Sequence, residues 1–152
     1  MQFYRLCLLV VLIGFSGCNR TATPKPAAGG STKSTVLISV TSDATKDTQA
    51  VDMAMKLAGF SLAEGRNVAL FFNVKGVTVP TKAFAADLKY KDNDPIKSQL
   101  QQVIKDGAEV HVCPICMKAL EVKSEDIMQG AFVTTRAKLF ANIGADTAVF
   151  TY

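Results

Sequence analysis

The chain has 152 residues, 49% hydrophobic and 20% charged, which is an ordinary globular mixture and enough for one domain but not comfortably for two. Its formal net charge is +4, and the 17 Lys and Arg are scattered rather than clustered, so no nucleic-acid stripe is expected. No phosphate loop, catalytic serine arrangement or carboxylate pair is visible, and no cofactor motif is expected.

Taken in chain order, the first element is a targeting signal. Met1 to Arg5 is short and positively charged, and Leu6 to Phe15, "LCLLVVLIGF", carries no charge. As a helix that run spans about 15 Å, half of a hydrocarbon core of ~30 Å, so it suits the core of a secretory signal better than a membrane span. Ser16 and Gly17 supply small residues before Cys18. "GFSGC" resembles the lipobox of bacterial lipoproteins, with Phe15 where that pattern usually has Leu. The resemblance implies lipidation of Cys18, which becomes the mature N-terminus. Two acyl chains anchor a protein durably, because each buried CH₂ contributes ~0.8 kcal/mol. Asn19 after the cysteine favours the outer over the inner membrane by the enteric sorting pattern. Residues 1–17 are thus read as signal. Residues 18–33 are read as the lipidated cysteine and a flexible Pro/Gly tether with a reach of roughly 20 Å.

Residues 34–152 form the expected working domain. "STVLISV" (34–40) reads as a buried strand. Thr48 to Glu64 reads as a helix with Val51, Met55, Ala58 and Leu62 on one face and Gly65 as its left-handed cap. "NVALFFNV" (67–74) is continuously apolar, as a central parallel strand is. Residues 80–93 form an excursion with room for one short helix. Asp94 and Pro95 predict a capped helix start, with Ile96, Leu100, Val103 and Ile104 as its buried face. Strand 108–112, a short helix to Leu120, a turn at 124–126, strand 130–133, helix 135–141 and strand 147–150 follow. Strictly alternating strands and helices predict an α/β fold: a single three-layer domain, mostly parallel and five-stranded, with helices on both faces.

The chemistry concentrates in "HVCPICMKAL" (111–120). Pro114 suits the first helical position, which makes Cys113 the cap, over free backbone amides at the positive helix end. That setting favours thiolate over thiol. Cys116 falls at the third helical position, within disulfide reach, and export supplies an oxidising compartment. The residues alone leave four chemistries open. Thiol–disulfide exchange would use Cys113 as attacker and Cys116 as resolver. Only 36 residues follow Cys116, too few for the part of a thioredoxin fold that comes after its motif. Zinc could draw on His111, Cys113 and Cys116, because strand alternation puts His111 and Cys113 on one side. A structural site wants a fourth ligand, and none is evident, so no metal is expected. The other two are an inert structural disulfide and a sulfur-carrying nucleophile.

Three blocks speak to that choice: "FSLAEGRNVALFFNVKGV", "IKDGAEVHVCPICMKAL" and "GAFVTTRAKLF". Together they resemble the DsrE/DsrF-like family, across nearly all of residues 34–152. The family includes sulfur-oxidation proteins and sulfur-relay subunits for tRNA thiolation. The resemblance implies a DsrE-like fold, a persulfide-carrying Cys113 and assembly as trimers or hexamers. Cys116 matches no required position, though many family members show a similar second cysteine. Relay members act in the cytoplasm, so an exported, tethered chain argues against tRNA thiolation. The expected function is therefore binding or transfer of sulfane sulfur on Cys113 at the cell envelope, facing the periplasm, with a donor or acceptor protein as partner and Cys116 as second catalytic residue. A noncatalytic oligomeric module with a Cys113–Cys116 disulfide is the alternative, followed by periplasmic disulfide exchange.

Other residues carry less. His111, the only histidine, could tune Cys113, although such a residue more often serves one buried hydrogen bond. Arg136, after the next strand, could favour an anionic sulfur donor, although a solvated charge at a helix start is commoner. Lys118 reads the same way. Asp43 and Thr45 read mainly as turn and cap chemistry. Met53, Met55 and Met117 sit at helical spacing and read as core or interface filler.

Overall fold

A computed structural model describes residues 33–152; the signal, Cys18 and nearly all of the tether expected from the sequence lie outside the described residues. The strands are β1 (Thr35–Val40), β2 (Asn67–Phe72), β3 (Glu109–Val112), β4 (Ala131–Val133) and β5 (Thr147–Thr151). The helices are α1 (Thr48–Ala63), α2 (Ile96–Lys105), α3 (Pro114–Ala119) and α4 (Arg136–Phe140). The sheet order is β4-β3-β2-β1-β5, and every pairing is parallel.

Register divides the sheet into two faces. Val36, Ile38 and Val40 of β1 lie beside Val68, Leu70 and Phe72 of β2, and all pack with Val51, Met55 and Ala58 of α1 and Ile96, Leu100 and Val103 of α2. Both helices therefore cover one face, as same-handed crossovers between successive neighbouring strands require. The other face carries Leu37, Ala69 and His111, and Asn142, just after α4, bonds there to the Glu109 carboxylate. The fold expected from the sequence is present, and the sheet is wholly parallel.

Both long helices end as their sequences predict. Arg66 N–H donates to the Ser61 carbonyl and Gly65 N–H to that of Leu62, with Gly65 at φ +72°. Gly107 closes α2 with the same pair of bonds, to Ile104 from itself and to Val103 from Ala108. The start of α2 differs from expectation. Pro95 is the N-cap, and no side chain caps the helix. The Ile96 N–H instead reaches the Leu88 carbonyl, so the excursion supplies the acceptor expected from Asp94. The excursion contains no helix; it is held by the buried Asp52 carboxylate, which accepts from Asn93 and Gln99 at 2.7 Å each.

β2 is shorter than its apolar run. After Phe72 the chain turns sharply, and Asn73 binds the Ser39 hydroxyl at 2.8 Å. A 3-10 turn, Val74–Thr78, then lies across the carboxyl end of the sheet. Gly76 makes this approach feasible: a Cβ there would sit 2.2 Å from the Val40 carbonyl oxygen. Both partners are backbone, so neither yields. Gly76→Ala is expected to cost about 2–4 kcal/mol, read as a lower urea midpoint with an unchanged slope; an unchanged midpoint would show that the turn can lift away freely.

Candidate functional site

β3 leads straight into α3, and the junction is tied to the sheet by Cys113 N–H donating to the Phe72 carbonyl at 2.9 Å. Cys113 is the N-cap of α3, Pro114 the first helical residue and Cys116 the third. Both cysteines are half-buried free thiols. They pack on an apolar floor of Val77, Val112, Met117 and Ile127. At the rim, Val74 is 54% exposed and Ile115, between the two cysteines, is 79% exposed.

The thiols are not equivalent. Burial pushes the Cys116 thiol up, and its hydrogen bond to the Cys113 side chain pushes it the same way. The Val74 N–H, aimed at Cys116, opposes both more weakly. Both causes favour the thiol form at Cys116 over its thiolate. Val74 holds this amide in place at φ 48°, a left-handed conformation costly for a β-branched residue. Strain of this kind, worth about 1–3 kcal/mol, concentrates at functional sites.

His111 does not join the thiols. Its ring is fully buried on the α4 side of the sheet, with Nδ1 2.9 Å from Thr134 Oγ1 and Nε2 3.1 Å from Glu109 Oε2. Cys113 packs instead with Val77, Val112, Met117 and Ile127, and neither ring nitrogen of His111 contacts it. The shared position expected for zinc or for tuning is therefore absent. A carboxylate only accepts, which places the ring proton on Nε2 and makes Nδ1 the acceptor from Thr134. Desolvation holds the His111 pKa below the ordinary histidine range against the pull of Glu109, so the contact with Glu109 is a hydrogen bond to a neutral ring rather than an ion pair. Asn142 donates to the same carboxylate at 3.1 Å, and Phe132 meets the ring edge-on at 4.6 Å. His111 is a clasp between β3, β4 and the α4 segment.

Arg136 opens α4 beyond β4, on the carboxyl edge shared with the cysteines, and is exposed. Asp43 and Thr45 engage each other, with Thr45 Oγ1 donating to Asp43 at 2.7 Å; this bond foremost holds the Asp43 carboxyl low. Open α/β sheets usually bind ligands where strand order reverses, here between β1 and β5. That crevice is closed, because Thr41 N–H and Oγ1–H both donate to the Tyr152 carbonyl at 2.7 and 2.8 Å. The thiol pair over β3 is left as the reactive feature of this edge. Sequence reasoning found both cysteines but missed Val74 and Gly76. A Val after an apolar strand reads as more strand, and the one available signal was Gly76 in "NVKGV".

A five-stranded, wholly parallel sheet in the order β4-β3-β2-β1-β5, with helices packed on it, defines a class of small α/β folds. The sequence profile of the DsrE/DsrF-like family matches residues 35–152, and the chain belongs to that family. The uncharacterized protein MJ0989 of Methanocaldococcus jannaschii is 31% identical over 99 residues, which span 65% of this chain and 83% of the relative. Two solved structures share the fold. The protein of unknown function MTH1491 from Methanobacterium thermoautotrophicum superposes with a TM-score of 0.62 at 12% identity, over 79% of this chain and 100% of that one. The ychN protein from E. coli gives 0.56 at 17%, over 79% and 99%.

The clasp predicts a pH dependence. The unfolded chain binds the His111 proton more readily than the fold does, so stability is full above pH ~6.5 and falls as pH drops below it. The wild-type Tm should fall by a few degrees between pH 7.5 and 5.5, and His111→Gln should flatten that slope even if its Tm starts lower. With no other histidine in the chain, equal slopes in both proteins would mean that the ring is already solvated in the fold.

Proposed function

We propose that this protein binds and transfers sulfane sulfur on Cys113. The observation that carries the reading is the placement of the pair: Cys113 caps α3 directly after β3 and Cys116 lies one turn on, both half-buried free thiols. The Cys113 thiolate attacks the outer sulfur of a polysulfide or thiosulfate. An S–S bond forms to Cys113, and the donor leaves as its shorter polysulfide or as sulfite. Two exits follow. An acceptor thiolate on a partner protein takes the outer sulfur and restores the Cys113 thiolate. Alternatively Cys116, once deprotonated, attacks Cys113 Sγ, expels hydrosulfide and closes a disulfide, which a dithiol reductant reopens.

The setting proposed for this chemistry is the bacterial envelope, facing the periplasm, with Cys18 carrying the lipid; "GFSGC" supports it. Cys18→Ala should move the protein from the membrane to the soluble fraction, and unchanged membrane association would sink the anchor. Self-assembly as a trimer or hexamer is supported by exposed Phe140, Ile143 and Val149 around α4 and β5, a large apolar surface for a lone domain; a monomer by analytical ultracentrifugation would count against it.

The sulfur step is tested by intact mass after exposing reduced protein to polysulfide. Wild type should gain the mass of one sulfur atom and Cys113→Ser should not. Cys116→Ser should gain it and hold it longer, because the internal exit is gone. No gain on wild type, with only a stubborn Cys113–Cys116 bridge, would favour a structural disulfide instead.

A further inference from the structure

A groove between α1 and α2 takes no part in the sulfur chemistry. Its volume is about 390 Å³, within the range of small-ligand pockets. Its two walls differ. On the α2 side Asp94, Ser98, Gln102 and Asp106 recur every fourth residue and form one polar stripe, with a carboxylate at each end of the helix. On the α1 side Met55, Gly59 and Phe60 are apolar, and Phe60 is 64% exposed. Gly59 leaves room between the walls, because a Cβ there would meet nothing within 4 Å.

A buried acceptor faces this space without a donor. Gln99 is 9% exposed and lines the groove. Its Nε2 donates to Asp52 Oδ1 and to the Asp94 carbonyl, each at 2.7 Å. Both partners are acceptors, so the amide fits only one way round and both of its protons are spent. Among the described residues no hydrogen bond ends on Oε1, and no sealed side-chain oxygen is left without a partner. Oε1 therefore reaches the surface, and the groove is the surface that Gln99 lines. Behind the amide, the fully buried Asp52 carboxylate accepts only from the neutral amides of Asn93 and Gln99. An amide polarised at its N–H by a carboxylate is a stronger acceptor at its oxygen. The lining itself sets two carboxylates against one ammonium, Lys56. The groove thus calls for donors and positive charge, on a chain whose formal net charge is +4.

We propose that the α1–α2 groove binds a linear aliphatic polyamine. Its terminal ammonium groups meet Asp94 and Asp106 at the two ends of α2, a helix of ten residues and so about 15 Å long. An inner ammonium donates to Gln99 Oε1, and the methylene runs between lie on Met55, Gly59 and Phe60. The Phe60 ring also offers a face for a cation to stand over. A lone ammonium would meet one carboxylate and leave the other, and a metal ion would gain nothing from the apolar wall. A chain that alternates charge with hydrocarbon matches both walls.

The test is calorimetric titration of the full-length chain with spermine. Wild type should take up one spermine per chain and saturate. Gly59→Leu fills the groove without a clash and replaces a poor helix former, so it should keep or raise the Tm while weakening spermine at least tenfold. Asp94→Asn combined with Asp106→Asn removes both end charges and should cost roughly tenfold, since each exposed ion pair contributes up to a few-fold. Hexylamine, a methylene run with one ammonium, should bind at least tenfold more weakly than spermine. Heat that never saturates would overturn the proposal. So would unchanged affinity in Gly59→Leu or in the double Asn variant, which would put spermine elsewhere, or hexylamine binding as tightly as spermine, which would leave the second carboxylate without a role. Neither cysteine takes part, so the outcome is independent of the chemistry at Cys113.

Discussion

The close approach of Gly76 to the Val40 carbonyl is the constraint on which the site depends. A side chain of any size at position 76 would lift the 3-10 turn off the sheet. With the turn seated, Val74 presents its amide to Cys116 and its side chain to the rim, and Val77 joins the floor beneath the thiols. The same edge is tied from β3, where the Cys113 amide continues the ladder to Phe72 before the chain enters α3. Backbone geometry on two strands thus positions two sulfurs, with no charged side chain called on to orient them.

The two faces of the sheet divide the work. One carries the larger apolar core under α1 and α2, where crossovers are regular and burial of Ile38, Leu70 and Val110 supplies the driving force. The other is held by a polar clasp. Glu109, His111, Thr134 and Asn142 join β3, the end of β4 and the α4 segment through bonds of 2.9 to 3.1 Å, with Asn142 tied in through the Glu109 carboxylate. In a buried network each member leaves the next unsatisfied if removed, so such a clasp fixes one arrangement more firmly than its net stabilisation suggests. It fastens the short β4, and through Thr134 N–H bonding to Val112 it steadies the strand end that precedes Cys113.

The sequence was legible where one physical signal dominates. Alternating β-branched runs and amphipathic helices gave the order of the nine strands and α-helices among the described residues, because burial sets both periods. Gly65 and Gly107 marked helix ends because the left-handed cap favours glycine strongly. Pro114 located the cap cysteine because proline suits the first turn and little else in a helix. The failures share a cause: contacts from distant sequence override a local preference. Leu88 displaced Asp94 at the start of α2, and Cys113 packs with Val77 and Ile127 while His111 bonds Thr134. Thr134, which bonds His111 Nδ1, lies 23 residues away, beyond any local pattern. Val74 is the hardest case, since its type favours the extended backbone that the structure denies it.

That last conflict has a consequence for how the protein can change. Position 74 is held in a conformation that glycine would adopt without strain, so the chain lies one substitution from relief of its own making. Replacing the valine would relax the backbone and strip the rim of a branched side chain in the same step. Selection for stability alone would therefore tend to erode the shelter over the sulfurs, and variants that persist hotter would be expected to hold their reactive pair more openly to water.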